Sequence, residues 1–237
     1  MAQISFRFWL YLFTDFLYIV PIMYAFPKMK ILSKGQKWFV YYLLGYFTLN
    51  VIQNTLFLGF SSRNLFLYYF YSLIDCLFIG KVFQYFFQNQ VKYKCIFAIF
   101  GIGFLSLLID LIWITGLRNE ENLFSNTIIN ICIFVASTYY LVKLLLNKIL
   151  DNLFNELNLY IALCLMIRSF LKSIFSFLRN YLLETQSNYY VTAQIDNFFN
   201  FFNICTLIIV SWAFYNLKTN RTLNVDEQVS NSIFHSS

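Results

Sequence analysis

Histidine is almost missing from this chain. His235, near the C-terminal end, is the only one, so a histidine-rich metal centre and a Ser/His or Cys/His nucleophilic pair both lack the imidazole they require. Charge is scarce too: 12% of the 237 residues are charged and 59% are apolar. A water-soluble core of this size has no use for so much apolar side chain, so the excess must face something other than water. The five cysteines, Cys76, Cys95, Cys132, Cys164 and Cys205, sit in or beside apolar runs with no CxxC pair. They read as free thiols at lipid depth. No metal, no cofactor and no catalytic residue is therefore expected. The net charge of +6 is spread between apolar runs, without the basic stripe and interleaved aromatics of a nucleic-acid surface.

What the chain has in plenty is apolar length. A membrane-crossing helix needs about 20 mostly apolar residues, and seven segments qualify, near 5–26, 38–60, 65–87, 95–115, 123–146, 155–178 and 195–217. The expected fold is an all-α integral membrane protein, a seven-transmembrane-helix bundle over 1–217. Its two bases make the sixth segment the weakest of the seven. The first lacks a small-residue cleavage site and reads as a retained helix, not a signal peptide. A polar tail, 218–237, shows no apolar period and is expected to be disordered and cytoplasmic. It contains no catalytic output domain.

Charge in the connections gives an orientation. Lys28, Lys30, Lys34, Lys37, Lys92, Lys94, Lys143, Lys148, Lys218 and Arg221 fall on one side, and Arg7, Arg63, Arg118 and Arg179 on the other. By the positive-inside rule the N-terminus is out and the C-terminus in. The longest outer connection, 179–194, reads as a lid or an interfacial segment. The expected location is the cell membrane, multi-pass, most simply a bacterial inner membrane with the lipid bilayer as first partner.

A charge at the bilayer centre costs several kcal/mol unless paired or wet. That singles out Asp15, Asp75, Asp110, Arg168 and Lys172. Arg168 and Lys172 are four apart on the sixth helix and share a face, where their repulsion would draw in acids or an anionic ligand. Amides extend the pattern at three- or four-residue spacing: Asn50 and Asn54, Asn126 and Asn130, then Asp196, Asn200 and Asn203. Tyr68, Ser72 and Asp75 repeat it on the third helix. With the orientation above, most of these groups fall in the outer half, leaving an apolar inner half. That depth pattern suggests a polar cavity open to the outside.

The reading that follows is a receptor-like or sensory module. It would bind a small, anionic ligand in the outer cavity and signal through a separate cytoplasmic partner. The alternatives are a structural or assembly subunit of a membrane complex, with the polar residues as interhelical glue, and a transporter subunit, which the apolar inner half disfavours. An intramembrane enzyme using Asp75 and Asp110 as an acid/base pair rests on less, and the Gly101–Gly103 step reads as close packing. Retinal is excluded because the seventh helix has no Lys for a Schiff base. Zinc-dependent seven-helix hydrolases are excluded because intramembrane histidines are absent. In plan alone the chain resembles the stand-alone seven-helix sensory modules of bacteria, a likeness of architecture that no motif carries.

Overall fold

The computed structural model describes residues 2–60, 67–87, 92–114, 123–147, 156–184 and 189–234. These are almost entirely helical and make seven rods. The first is α1 (Ala2–Leu17) followed by α2 (Ile19–Ala25). Pro21 explains that break: it has no N–H to donate, and its ring conflicts with the carbonyl four residues earlier, at Leu17. Rod two is α3 (Lys34–Phe60). The third is α4 (Leu67–Ile74), a π-helical turn at Asp75–Ile79, and α5 (Gly80–Phe86). The fourth is α6 (Lys92–Ile109) ending in a second π-helical stretch, Asp110–Ile114. Rods five to seven are α7 (Leu123–Asn147), α8 (Leu157–Glu184) and α9 (Tyr189–Phe234).

Consecutive rods are neighbours, and the seventh returns to pack on the first through α9 and α2, closing a ring. Inside it, rod three also touches rod five, and rod two touches rod six. One end of the ring is tied by polar contacts: Lys28 Nζ donates to the Tyr215 carbonyl at 2.8 Å and also to that of Phe214, while Gln36 Nε2 donates to Asn158 Oδ1 at 2.9 Å. Those contacts bring the end of rod one, the Phe214–Tyr215 turn of rod seven and the starts of rods two and six to one end. Neighbouring rods in the ring from one to six therefore alternate in direction, as short connections require.

Five helical stretches are long and apolar enough to cross a membrane: Trp9–Lys28, Ile96–Ile114, Phe124–Leu146, Leu157–Leu178 and Asn197–Leu217. The base-bearing sixth rod is among them. Rods two and three fall short instead, for a compositional reason: Tyr41, Tyr42, Tyr46, Asn50, Gln53 and Asn54 crowd one, and Tyr68, Tyr69, Tyr71, Asp75, Lys81 and Gln84 the other. Outward faces are apolar all round the ring, with Trp113 81% exposed, Leu146 80%, Phe97 74% and Phe177 70%. Water would not tolerate so much exposed apolar surface on a monomer, and lipid does. The protein is a multi-pass helical membrane protein.

Two segments differ from the expectation. The stretch 179–194 is not a long connection, because α8 runs on to Glu184 and α9 begins at Tyr189. Helix α9 also continues through the tail to Phe234, where disorder is expected from composition. Between 218 and 234 there is neither Gly nor Pro to stop it, and extending an existing helix avoids the cost of nucleating a new one.

The two glycines of α6 separate in role. At Gly103 an added Cβ would stand 3.3 Å from Ile129 Cγ1 and 3.7 Å from Cys76 Sγ, whereas Gly101 has nothing within 4 Å. Gly103 alone is the close-packing position against α7. Gly103→Leu is expected to cost about 1–3 kcal/mol by overpacking, and Gly101→Leu close to nothing. Unfolding midpoints of the two variants in detergent check this; equal losses would contradict it.

Candidate functional site

The site begins with α3, where Tyr42, Tyr46, Asn50 and Asn54 follow one another at four-residue spacing and so share one face. Tyr42 and Tyr46 point their hydroxyls at Asp75, which opens the π-helical turn of rod three. Tyr42 donates to Oδ1 at 3.1 Å and Tyr46 to Oδ2 at 2.7 Å. Lys172 of α8 completes the group with an ion pair to Oδ2 at 2.9 Å. Asp75 is 2% exposed. Three donors from two other rods thus converge on one buried carboxylate, and both of its oxygens are satisfied. A π-helical turn inserts an extra residue per turn and re-aims the side chains around it, which is how an acid in an apolar stretch comes to face the ring's interior.

Arg168, one turn before Lys172, behaves differently. Its guanidinium donates to the Tyr42 hydroxyl and lies over two aromatic faces, 4.4 Å from the ring centre of Tyr46 and 5.6 Å from that of Tyr42. Among the described residues no carboxylate forms an ion pair with it, and its Nε is buried without a partner. It lines two voids in the core. One, about 290 Å³ of unfilled space, lies between Tyr18, Tyr42, Arg168, Asn203 and Thr206, with Phe39, Leu43, Leu165, Leu207 and Val210 as apolar walls. The other, about 170 Å³, lies between Tyr42, Asp75, Asn130, Arg168 and Ser169. Much of either volume is crevice, and each has room for about one water molecule.

Further aromatics carry the polar core to the remaining rods. Tyr18 stacks on Tyr46 at 5.8 Å, and its hydroxyl faces the Asn203 amide, 3.2 Å from Nδ2. Asn200, one turn earlier on α9, is buried with its Nδ2 unpartnered. On the other flank Tyr71 packs 5.1 Å from Tyr46, with its hydroxyl 2.6 Å from Asn50 Oδ1 and 2.9 Å from Gln53 Oε1. Tyr68 packs 6.3 Å from Tyr71, and Ser72 is buried beside them. The π-turns and Tyr18, Tyr42, Tyr46 and Tyr71 are absent from the sequence expectation, which included Tyr68 alone among the tyrosines. Tyr42 and Tyr46 had a readable signal, because their spacing extends the Asn50–Asn54 ladder two turns back toward the start of α3.

Other expected site residues lie apart from this centre or in local pairs. Asp15 accepts from Asn54 Nδ2 at 2.9 Å. Asn130 Nδ2 donates to the Asn126 carbonyl at 2.6 Å, and Asn126 Nδ2 reaches Ser176 Oγ at 3.5 Å. The side chain of Asp196 falls outside the described residues. Asp110 does not join Arg168 and Lys172, nor pair with Asp75. It is fully buried and accepts from the backbone N–H of Ser125 at 3.0 Å and from its hydroxyl at 2.7 Å. Ser125 lies in the first turn of α7, where unpaired N–H groups and the helix dipole favour an acid. Asp110 therefore caps α7, and the acid/base pair considered from the sequence is not assembled.

The described cysteines, Cys76, Cys132, Cys164 and Cys205, are all free. Among the described residues no group of acids, cysteines and histidines could hold a metal ion. Comparison with known proteins finds no matching family, curated relative or solved structure. The functional reading therefore stands on the geometry of the polar core.

Proposed function

We propose that the protein is a receptor-like membrane module, crossing the bilayer seven times with its N-terminus outside, whose core binds a small anionic ligand at Arg168. The observation that carries this reading is the guanidinium itself. Among the described residues it has no carboxylate in an ion pair with it, it leaves one N–H unmatched and it borders two voids. A half-buried cation without a counter-ion is costly in a helix bundle, and a ligand can complete the pairing. An anion there would compete for the Tyr42 hydroxyl, which also holds Asp75. Binding would thus act on rods two, three and six together, a route by which occupancy could reach a cytoplasmic partner.

A second reading, an assembly subunit whose polar residues tie the helices, is favoured by Asp75: its partners satisfy it with no ligand. The two readings part at Arg168. In a thermal-shift panel of small anionic solutes on purified protein, at least one is expected to stabilise the native chain and to lose its effect in Arg168→Met. At 100 times its dissociation constant a ligand adds about 2.7 kcal/mol. A panel with no stabilising anion moves the reading to the assembly subunit.

A further inference from the structure

Within the Arg168 reading, on which this inference rests, we infer that the ligand is a single weakly hydrated monovalent anion of halide size, held in the void between Arg168, Tyr18 and Asn203. Three observations narrow the class. Size comes first: the void takes about one water molecule, which a halide only slightly exceeds, whereas an amino acid or a sugar phosphate would have to push α3, α8 and α9 apart. The second is charge. No carboxylate lines this void, while Asp75 lines the other, so an anion is repelled more strongly in the second than in the first. One guanidinium balances one negative charge, and the penalty for burying an ion rises steeply with its charge. The apolar walls therefore disfavour sulfate and phosphate. The third is donors. Arg168 Nε is buried and unpartnered, the Tyr18 hydroxyl and the Asn203 amide, which bond each other, also line the void, and Asn200 Nδ2 is a second orphaned donor one turn from Asn203. A halide accepts hydrogen bonds from several directions at once and can use such an irregular set.

The test is thermal unfolding of the full chain in detergent, with chloride exchanged for gluconate at constant ionic strength, and with bromide, sulfate and a set of small organic carboxylates as comparisons. Chloride and bromide are expected to raise the midpoint saturably, sulfate is not, and the halide effect should vanish in Arg168→Met. Radiolabelled chloride in equilibrium dialysis should bind the native protein at about one ion per chain, the room the void provides. That arm needs no variant to fold. Absence of a halide shift and of chloride binding in the native protein overturns the inference, as does a halide shift that survives Arg168→Met. If organic carboxylates give an Arg168-dependent shift and halides do not, the halide falls and the anion-binding reading stands. If no anion gives one, both fall.

Discussion

Lys172→Met is expected to destabilise the protein by about 3–5 kcal/mol, because it leaves Asp75 buried without its counter-ion. The carboxylate is 2% exposed, so water cannot replace the ammonium 2.9 Å away. Tyr42 and Tyr46 would still donate to it, but a hydroxyl does not cancel a charge. The opposite single change, Asp75→Leu, leaves Lys172 beside Arg168 with no acid between them and should cost a similar amount. Removing both charges at once should cost much less than the sum of the two, since replacing a buried pair by apolar side chains is often neutral or better. A double-mutant cycle on unfolding midpoints reads the coupling directly. Additive losses would mean that the pair is not the joint between rods three and six.

Arg168→Met should move stability the other way. The native guanidinium carries a buried N–H without a partner, a cost of about 1–3 kcal/mol, while its stacking on Tyr42 and Tyr46 returns about 0.5–2 kcal/mol. Methionine fills a similar length and has no donor to satisfy. Without added anion the variant is therefore expected to be as stable as the native protein or up to about 2 kcal/mol more stable, and it should no longer respond to anions. Such an exchange of stability for response marks a residue kept for function. A loss of several kcal/mol in Arg168→Met would instead make Arg168 a structural tie.

How far the sequence could be read depends on which rule governs each part. Apolar runs locate the first five rods within a few residues, whereas the sixth runs on to Glu184 and the seventh to Phe234, past the ends of their apolar runs. Hydropathy separates rods two and three from rod six: tyrosines and amides that satisfy one another in the ring's interior count as polar in composition, while two bases among many leucines hardly register. The charges alone suggest that acids meet Arg168 and Lys172, but not that Asp75 is the one that reaches Lys172. That Asp110 would prefer the first turn of α7 depends on which helix end lies beside it, which spacing does not encode. The π-turns at Asp75 and Asp110 are likewise invisible, because one extra residue in a turn has no sequence period. Arg168 stands apart from Lys172, although the two share a face, because only one carboxylate reaches them.

The proposed function puts the polar core in the membrane, and that requires rods two and three to cross it, since they carry Tyr42, Tyr46 and Asp75. Labelling of Arg63→Cys in intact cells with a membrane-impermeant maleimide decides it, with the unsubstituted chain as background and a cysteine at Gln90 as the opposite-side control. Residue 63 is expected to label from outside, and residue 90 only after the membrane is opened. If both label only after opening, rods two and three do not cross the bilayer, and the seven-span bundle built around Asp75 is contradicted.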